Sequence, residues 1–177
     1  MKKVLAVVNL ANPLAKYLTR SGRTQKEIAI DSGLSRSSIN NYFHGTNVKP
    51  NESVVVANVA NDFELNMEIA SQLFGIFKLM DGKKLNGDAL TIDAYTELEE
   101  REQQERYTRD HIRTLLRDGP LDHAEKVVLN DYALDDMDAL IMRLTRFNAE
   151  CIKLGVTPMD LFKKKRREYE QKQYMEV

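Results

Sequence analysis

Arg36, Ser37, Asn40, Asn41 and His44 combine side chains that make directional, often paired, hydrogen bonds. A guanidinium offers two parallel donors, a carboxamide offers one donor beside one acceptor, and a hydroxyl serves as either. That is the chemistry needed to read the edge of a base pair in the major groove. Arginine suits O6 and N7 of guanine, asparagine suits N6 and N7 of adenine, and serine is adaptable. On a helix turning about 100° per residue, these five residues fall on one side. Ile39, Tyr42 and Ser38 fall on the other, with Phe43 at the boundary. One side is suited to packing and the other to a polar ligand. Ser35, Thr46 and Lys49 flank the stretch and join it as candidate contacts, with Asn47 in the same loop. Gln25 begins the preceding helix, where the positive helix end and exposed N–H groups favour a phosphate.

The elements that must hold these residues are marked by local signals. Thr24-Gln25-Lys26-Glu27 has the reciprocal form of a capping box. Gly33 can take the left-handed conformation that ends a helix. Leu34 plugs the turn, and Ser35 caps the next helix, which runs to about His44 before Gly45 stops it. Asn12 and Pro13 predict a first helix over 13–21, ended by Gly22. Asn51 is a candidate cap for a fourth helix carrying Val54, Val55, Val56, Val59 and Ala60. A fifth is expected over 66–79. An antiparallel helical pair with no ligand would need the same cap, glycine and amphipathic pattern. The base-reading chemistry of the polar face and its basic surroundings favour a nucleic acid.

The stretch from Thr24 to Gly45, continuing through Pro50 into Val59-Ala60, resembles the lambda-repressor-like helix-turn-helix regulators, also called the Cro/repressor or XRE family. The likeness covers roughly residues 12–65, with glutamine, alanine, turn glycine, serine, isoleucine and final glycine at the family's spacing. It implies that Gln25 clamps a phosphate while Arg36, Ser37, Asn40 and Asn41 read bases. It further implies a homodimer on operator DNA, because operator symmetry in this family usually mirrors protein symmetry. Two features depart from the family. Phe43 stands where many members carry glutamate, and the loop before the fourth helix is about one residue longer. Some members also carry a self-cleaving serine–lysine peptidase domain. No serine follows Ser71 here, so release from DNA would come from a partner protein, a ligand or turnover.

Charge is distributed unevenly. Residues 1–50 hold eight cations against two anions, +6, while the rest hold 18 against 25, −7. An N-terminal module facing a polyanion, joined to a module with another task, would show this asymmetry. With 42% hydrophobic residues, 8 glycines and 4 prolines, composition suits helices. The expected fold is all-α: a five-helix lambda-repressor-like DNA-binding domain over 1–80, a linker over 81–90, and a helical oligomerisation or regulatory domain over 91–177.

In that second domain a long helix is expected over 91–117, with a charged, solvated middle that could act as a spacer or dock a regulator. Helices are expected near 121–133 and 135–154, the latter with an apolar stripe of Met137, Leu140, Ile141, Leu144, Phe147, Cys151 and Leu154. The last helix starts at Thr157-Pro158. Its basic run, Lys163 to Arg167, could form a second phosphate-binding patch, but Glu168 and Glu170 follow on the same helix and a solvated helical face is the favoured reading. Residues Val4 to Leu10 read as an arm or a short strand, and a strand there would pair with Leu90-Thr91-Ile92.

No catalytic constellation, metal signature or cofactor motif emerges, so an enzyme is not expected. His111, His123 and Cys151 are scattered. The carboxylate pairs Glu99-Glu100 and Asp135-Asp136 have no nucleophile beside them. A start of Met1-Lys2-Lys3 imitates a signal peptide, but Asn9 and Asn12 break its apolar run and no small-residue cleavage site follows. A lone cysteine suits a reducing, cytoplasmic setting. The leading expectation is a prokaryotic or phage-type transcriptional repressor. An adaptor of antitoxin or anti-repressor type, or an origin-binding replication factor, are the alternatives.

Overall fold

The computed structural model describes residues 7–85, 88–117 and 119–175. Among them the chain is all-α, with nine α-helices, one 3-10 turn and a single isolated bridge, Val8 to Val48. No helix in the described residues is long and apolar enough to cross a membrane. The chain forms two compact units. One takes Met1–Lys78 together with Cys151–Val177, and the other takes Leu79–Glu150.

The first unit holds α1 (Ala11–Ser21), α2 (Gln25–Ser32), α3 (Arg36–Phe43), α4 (Pro50–Ala60), α5 (Phe63–Phe74) and α9 (Pro158–Gln171). Its core gathers Val8, Leu10, Leu14, Tyr17, Ile28, Ala29, Ile39, Tyr42, Val48, Val56, Leu65 and Ile69. The first five helices therefore close around one apolar centre. Several ends differ from the sequence reading. α1 begins at Ala11, before Asn12, because Asn9 Oδ1 already accepts from Ala11 N–H at 3.0 Å. α4 begins at Pro50, where proline's missing N–H costs nothing. α5 spans Phe63–Phe74 rather than 66–79, since Asp62 caps it by accepting from Leu65 N–H at 2.8 Å, and Gly75 closes it in the left-handed region. In α4 only Val56 of the expected apolar set is fully buried. Val54 and Val55 are exposed.

Residues 1–6 lie outside the described residues, so the Val4 end of the expected arm does too. From Val8 onward the segment is core. Val8 and Leu10 are fully buried, and Val48 N–H donates to Val8 carbonyl at 2.8 Å. The expected partners 90–92 are helical instead.

The second unit is built from α6 (Ala89–Arg109), α7 (Ile112–Arg117) and α8, which spans His123–Leu154 and carries its last turn, from Cys151, into the first unit. The expected single helix over 91–117 breaks at His111, which sits at φ +52 after Asp110 ends α6. The expected break near 134 does not occur. Ala133-Leu134-Asp135-Asp136 contains no proline or glycine, and the weak helix preference of two aspartates is too small to end a packed helix, so α8 continues for 32 residues.

The stretch expected as a linker is part of the fold. Leu79 and Leu85 are buried, Lys83–Leu85 form the 3-10 turn, and Met80 N–H donates to Thr145 Oγ1 at 3.1 Å. Of the apolar stripe expected on α8, Ile141 and Cys151 are buried and Leu144 and Phe147 half-buried, whereas Met137, Leu140 and Leu154 are exposed; Ala139, Met142 and Thr145 are buried beside it.

The charged middle of α6 is solvated on one side only. Its other side binds α8: Glu100 accepts from Arg143 at 2.7 Å, Gln103 donates to Tyr132 at 2.7 Å, and Arg106 pairs with Asp135. Arg106, four residues after Glu102, pairs with Asp135 of α8 and with Asp110 at 3.8 Å.

Glu99 lies beside this seam, half-buried. Burial raises its carboxyl above the ordinary range, and the nearby Asp138, Glu102 and Asp135 add to the shift. A carboxyl whose folded value is raised carries a charge that the fold disfavours at neutral pH, and the penalty disappears once acid protonates both states. Glu99→Gln is therefore expected to raise Tm at pH 7. Thermal melts followed over a pH series should show the gain closing below the carboxylate range.

Candidate functional site

Local chemistry fixes α2 and α3 before tertiary packing acts on them. Thr24 N–H donates to Glu27 Oε2 at 2.7 Å and Glu27 N–H returns a bond to Thr24 Oγ1 at 3.3 Å. Those bonds to Thr24 also hold the Glu27 carboxyl below its usual range. Gly33 ends α2 at φ +67, a conformation that an L side chain resists. Leu34 then packs against the core, and Ser35 Oγ accepts from Ser38 N–H at 2.9 Å to open α3.

Two residues seat α3. Ile39 is fully buried and Tyr42 nearly so. The Tyr42 hydroxyl donates to Glu52 of α4. Burial, followed by this carboxylate, pushes the Tyr42 phenol up to about 12, while the hydroxyl's bond holds Glu52 below the ordinary carboxylate range.

The opposite face of α3 is exposed. Arg36, Ser37, Asn40, Asn41 and His44 all lie on it. The side chains of Arg36, Ser37, Asn40 and Asn41 make no hydrogen bond or ion pair among the described residues. Their donors and acceptors are left to solvent or to a ligand. His44 caps the end of α3 and meets the Phe43 ring edge-on at 5.6 Å. Gln25 is the first residue of α2, half-exposed, and its carboxamide is also without a partner among the described residues.

The loop after α3 is held in place by the N-terminal segment. Asn9 Nδ2 donates to Gly45 carbonyl at 3.4 Å, and Val8 bridges Val48. Gln72 fixes Asn9 in turn, accepting from its N–H at 2.7 Å and donating to its carbonyl at 3.1 Å. Thr46 and Lys49 project from this braced loop and are exposed. Lys49 keeps a 3.5 Å contact with Glu52.

No family model, no curated protein and no solved structure matches this chain. Its site must be judged on its own geometry.

That geometry brings Arg36, Ser37, Asn40, Asn41 and His44 onto one helical face, with Gln25 at the start of the preceding helix. It gives Ser35 a different duty, since its hydroxyl is occupied as the cap of α3. Lys26, which the sequence reading used only within the capping box, is exposed beside Gln25 and adds positive charge to the first turn of α2. Its position next to a helix N-terminus was visible in the sequence.

The carboxylates elsewhere are engaged in structure. Glu100, Asp135 and Asp136 bond to Arg143, Arg106 and Gln103, and Cys151 is fully buried. Among the described residues no three histidine, cysteine or acidic side chains gather where a metal ion could be held.

Tyr42→Phe tests how α3 is seated. It keeps the ring packing intact but leaves Glu52 only its exposed contact with Lys49, for an expected loss of about 1 kcal/mol in chemical denaturation. Because Glu52 is held below its ordinary value, its contribution is present at neutral pH and lost as acid protonates it. The difference between wild type and variant should narrow as pH falls through the carboxylate range.

Proposed function

We propose that the first unit reads double-stranded DNA by sequence, with α3 in the major groove and the N-terminus of α2 on the phosphate backbone. The observation that carries this reading is the exposed row Arg36, Ser37, Asn40 and Asn41. These side chains have no partner among the described residues, yet sit on a helix whose other face is fully seated. Water satisfies exposed polar groups, so exposure alone marks nothing. What marks this row is that four side chains able to read base edges share one face of a helix held rigid from behind.

In this reading Arg36 grips a guanine, Asn40 or Asn41 pairs with an adenine, and Ser37 adapts between bases. Gln25, Thr46 and Lys49 hold phosphates and set the register. His44 closes the contact face, and Ser35 acts by positioning α3. The resemblance of residues 12–65 to lambda-repressor-like regulators supports the same assignment.

The regulator is a cytoplasmic homodimer acting as a repressor, occupying an operator and blocking polymerase. Exposed Met137 and Leu140, with Ala133 and Leu144 at alternating spacings of four and three, offer α8 an apolar seam for a second copy. The second unit also offers a surface on which a regulatory protein partner could trigger release.

Selection of bound duplexes from a random pool, at physiological salt, tests this directly. A two-fold motif should emerge. Arg36→Ala should weaken binding to it by about 1–3 kcal/mol and relax preference at one base pair. Gln25→Ala should weaken binding to all duplexes alike. A folded protein that enriches no motif would instead favour the adaptor reading, with the α3 face taken by a protein.

A further inference from the structure

The basic run of α9 belongs to the same compact unit as α3. Asn61, which ends α4, anchors the start of α9. Its Nδ2 donates to Thr157 Oγ1 at 3.4 Å and Asp160 Oδ1 at 3.2 Å, and its Oδ1 accepts from Lys163 Nζ at 3.0 Å. Phe162 then packs edge-on to Phe63 of α5, with ring centroids 5.4 Å apart. This anchor adjoins the corner that leads into α2. Arg23 Nη1 donates at 3.2 Å to the carbonyl of Val59, two residues before Asn61, and Gln25 lies two residues after Arg23.

The acids of α9 do not neutralise the whole run. Lys165 pairs with Glu168 at 2.6 Å, Arg166 with Glu170 at 2.8 Å, and Lys163 is taken up by Asn61 and Asp160. Lys164 and Arg167 remain. Both are exposed, and neither makes a hydrogen bond or ion pair among the described residues. Three residues apart, they are neighbours on the helix surface and point away from Phe162. At about 1.5 Å of rise per residue, Arg167 lies only about 6 Å along the axis from the anchoring Lys163. Glu168 lies within electrostatic reach of Lys164 but gives its hydrogen bond to Lys165, so two cations with free donors stand on one face, on an element fastened next to the α1–α2 corner.

We propose that α9 gives the protein a second, sequence-independent grip on nucleic acid, with Lys164 and Arg167 each neutralising a backbone phosphate beside the site that α3 reads. The proposal rests on the DNA-reading assignment of α3. The unit's formal charge fits the same occupant: its residues carry 16 cations against 10 anions, +6, while the other unit carries 10 against 17, −7.

Counterion release gives this a quantitative signature, since each neutralised phosphate contributes about 0.9 to the slope of log K against log salt on duplex DNA. The test compares the full-length wild type with Lys164→Gln/Arg167→Gln. Affinity is measured over a salt series on the selected duplex and on a scrambled one. Arg113→Gln/Lys126→Gln, exposed in the second unit, is the control with the same change in net charge. The α9 variant should have a slope shallower by about 1.8 on both duplexes, with the selected motif unchanged. The control should keep the wild-type slope.

A wild-type slope in the α9 variant overturns the proposal, as it would if an acidic protein were the true occupant. An equal fall in the control overturns it too, by making net charge the cause. If the wild type binds neither duplex, the reading of α3 has failed and takes this inference with it. Matching far-ultraviolet spectra and melting curves separate a lost contact from a lost fold.

Discussion

An eight-residue helix is too short to persist by itself in water, so the presentation of α3 depends on the burial of Ile39 and Tyr42. Those two side chains lie three residues apart and give the helix one fixed contact line with the core. Once they are seated, rotation about the axis is lost and the opposite row is aimed outward. The bond from Tyr42 to Glu52 then ties α3 to α4, and the Val8–Val48 bridge ties down the loop that follows. Every candidate contact on α3 takes its position from this seating. The side chains of Arg36, Ser37, Asn40 and Asn41 make no bond that contributes to it, which leaves that row free to vary with the ligand.

Signals that act within one turn were legible in the sequence. Thr24 with Glu27, Gly33, and Ser35 with Ser38 each satisfy backbone groups a few residues away, so residue type and spacing were enough. The alternation of polar and apolar residues on α3 was readable for the same reason. Signals that act between distant segments were not. Asp62 was overlooked as the cap of α5 because the apolar pattern alone sets no start. The glycines and charges of 81–90 resemble a linker, yet Leu79 and Leu85 are buried there. On α8 the sequence pattern finds Ile141 and Cys151 but also marks Met137, Leu140 and Leu154, which are exposed, because its apolar residues outnumber those one face can bury. The choice among them belongs to α6, through contacts such as Thr96 Oγ1 to the Met142 carbonyl at 3.3 Å.

α9 is the sharpest case. Read along the chain it follows the acidic half and inherits its context, so its cations look like one more solvated face. Folded, it belongs with the first unit. Nothing local announces that Asn61 will bond to Thr157 and Asp160, nearly a hundred residues on, or that Phe63 will meet Phe162. Glycine content alone puts the boundary at 81–90. The fold puts it between Lys78 and Leu79, four residues past the end of α5, and again within α8.

That boundary also changes what the net charge means. The whole chain carries −1, a value that gives no hint of a polyanionic ligand. Electrostatic attraction between exposed groups is screened within about 8–10 Å at physiological salt, so a charge counts chiefly where it touches. Carboxylates on the second unit do little against a phosphate bound on the first unless they come within that range. Contacting cations, in contrast, release condensed counterions and act in full. The relevant charge is therefore that of the contacting unit. A near-neutral total conceals it because the two units carry opposite signs of almost equal size.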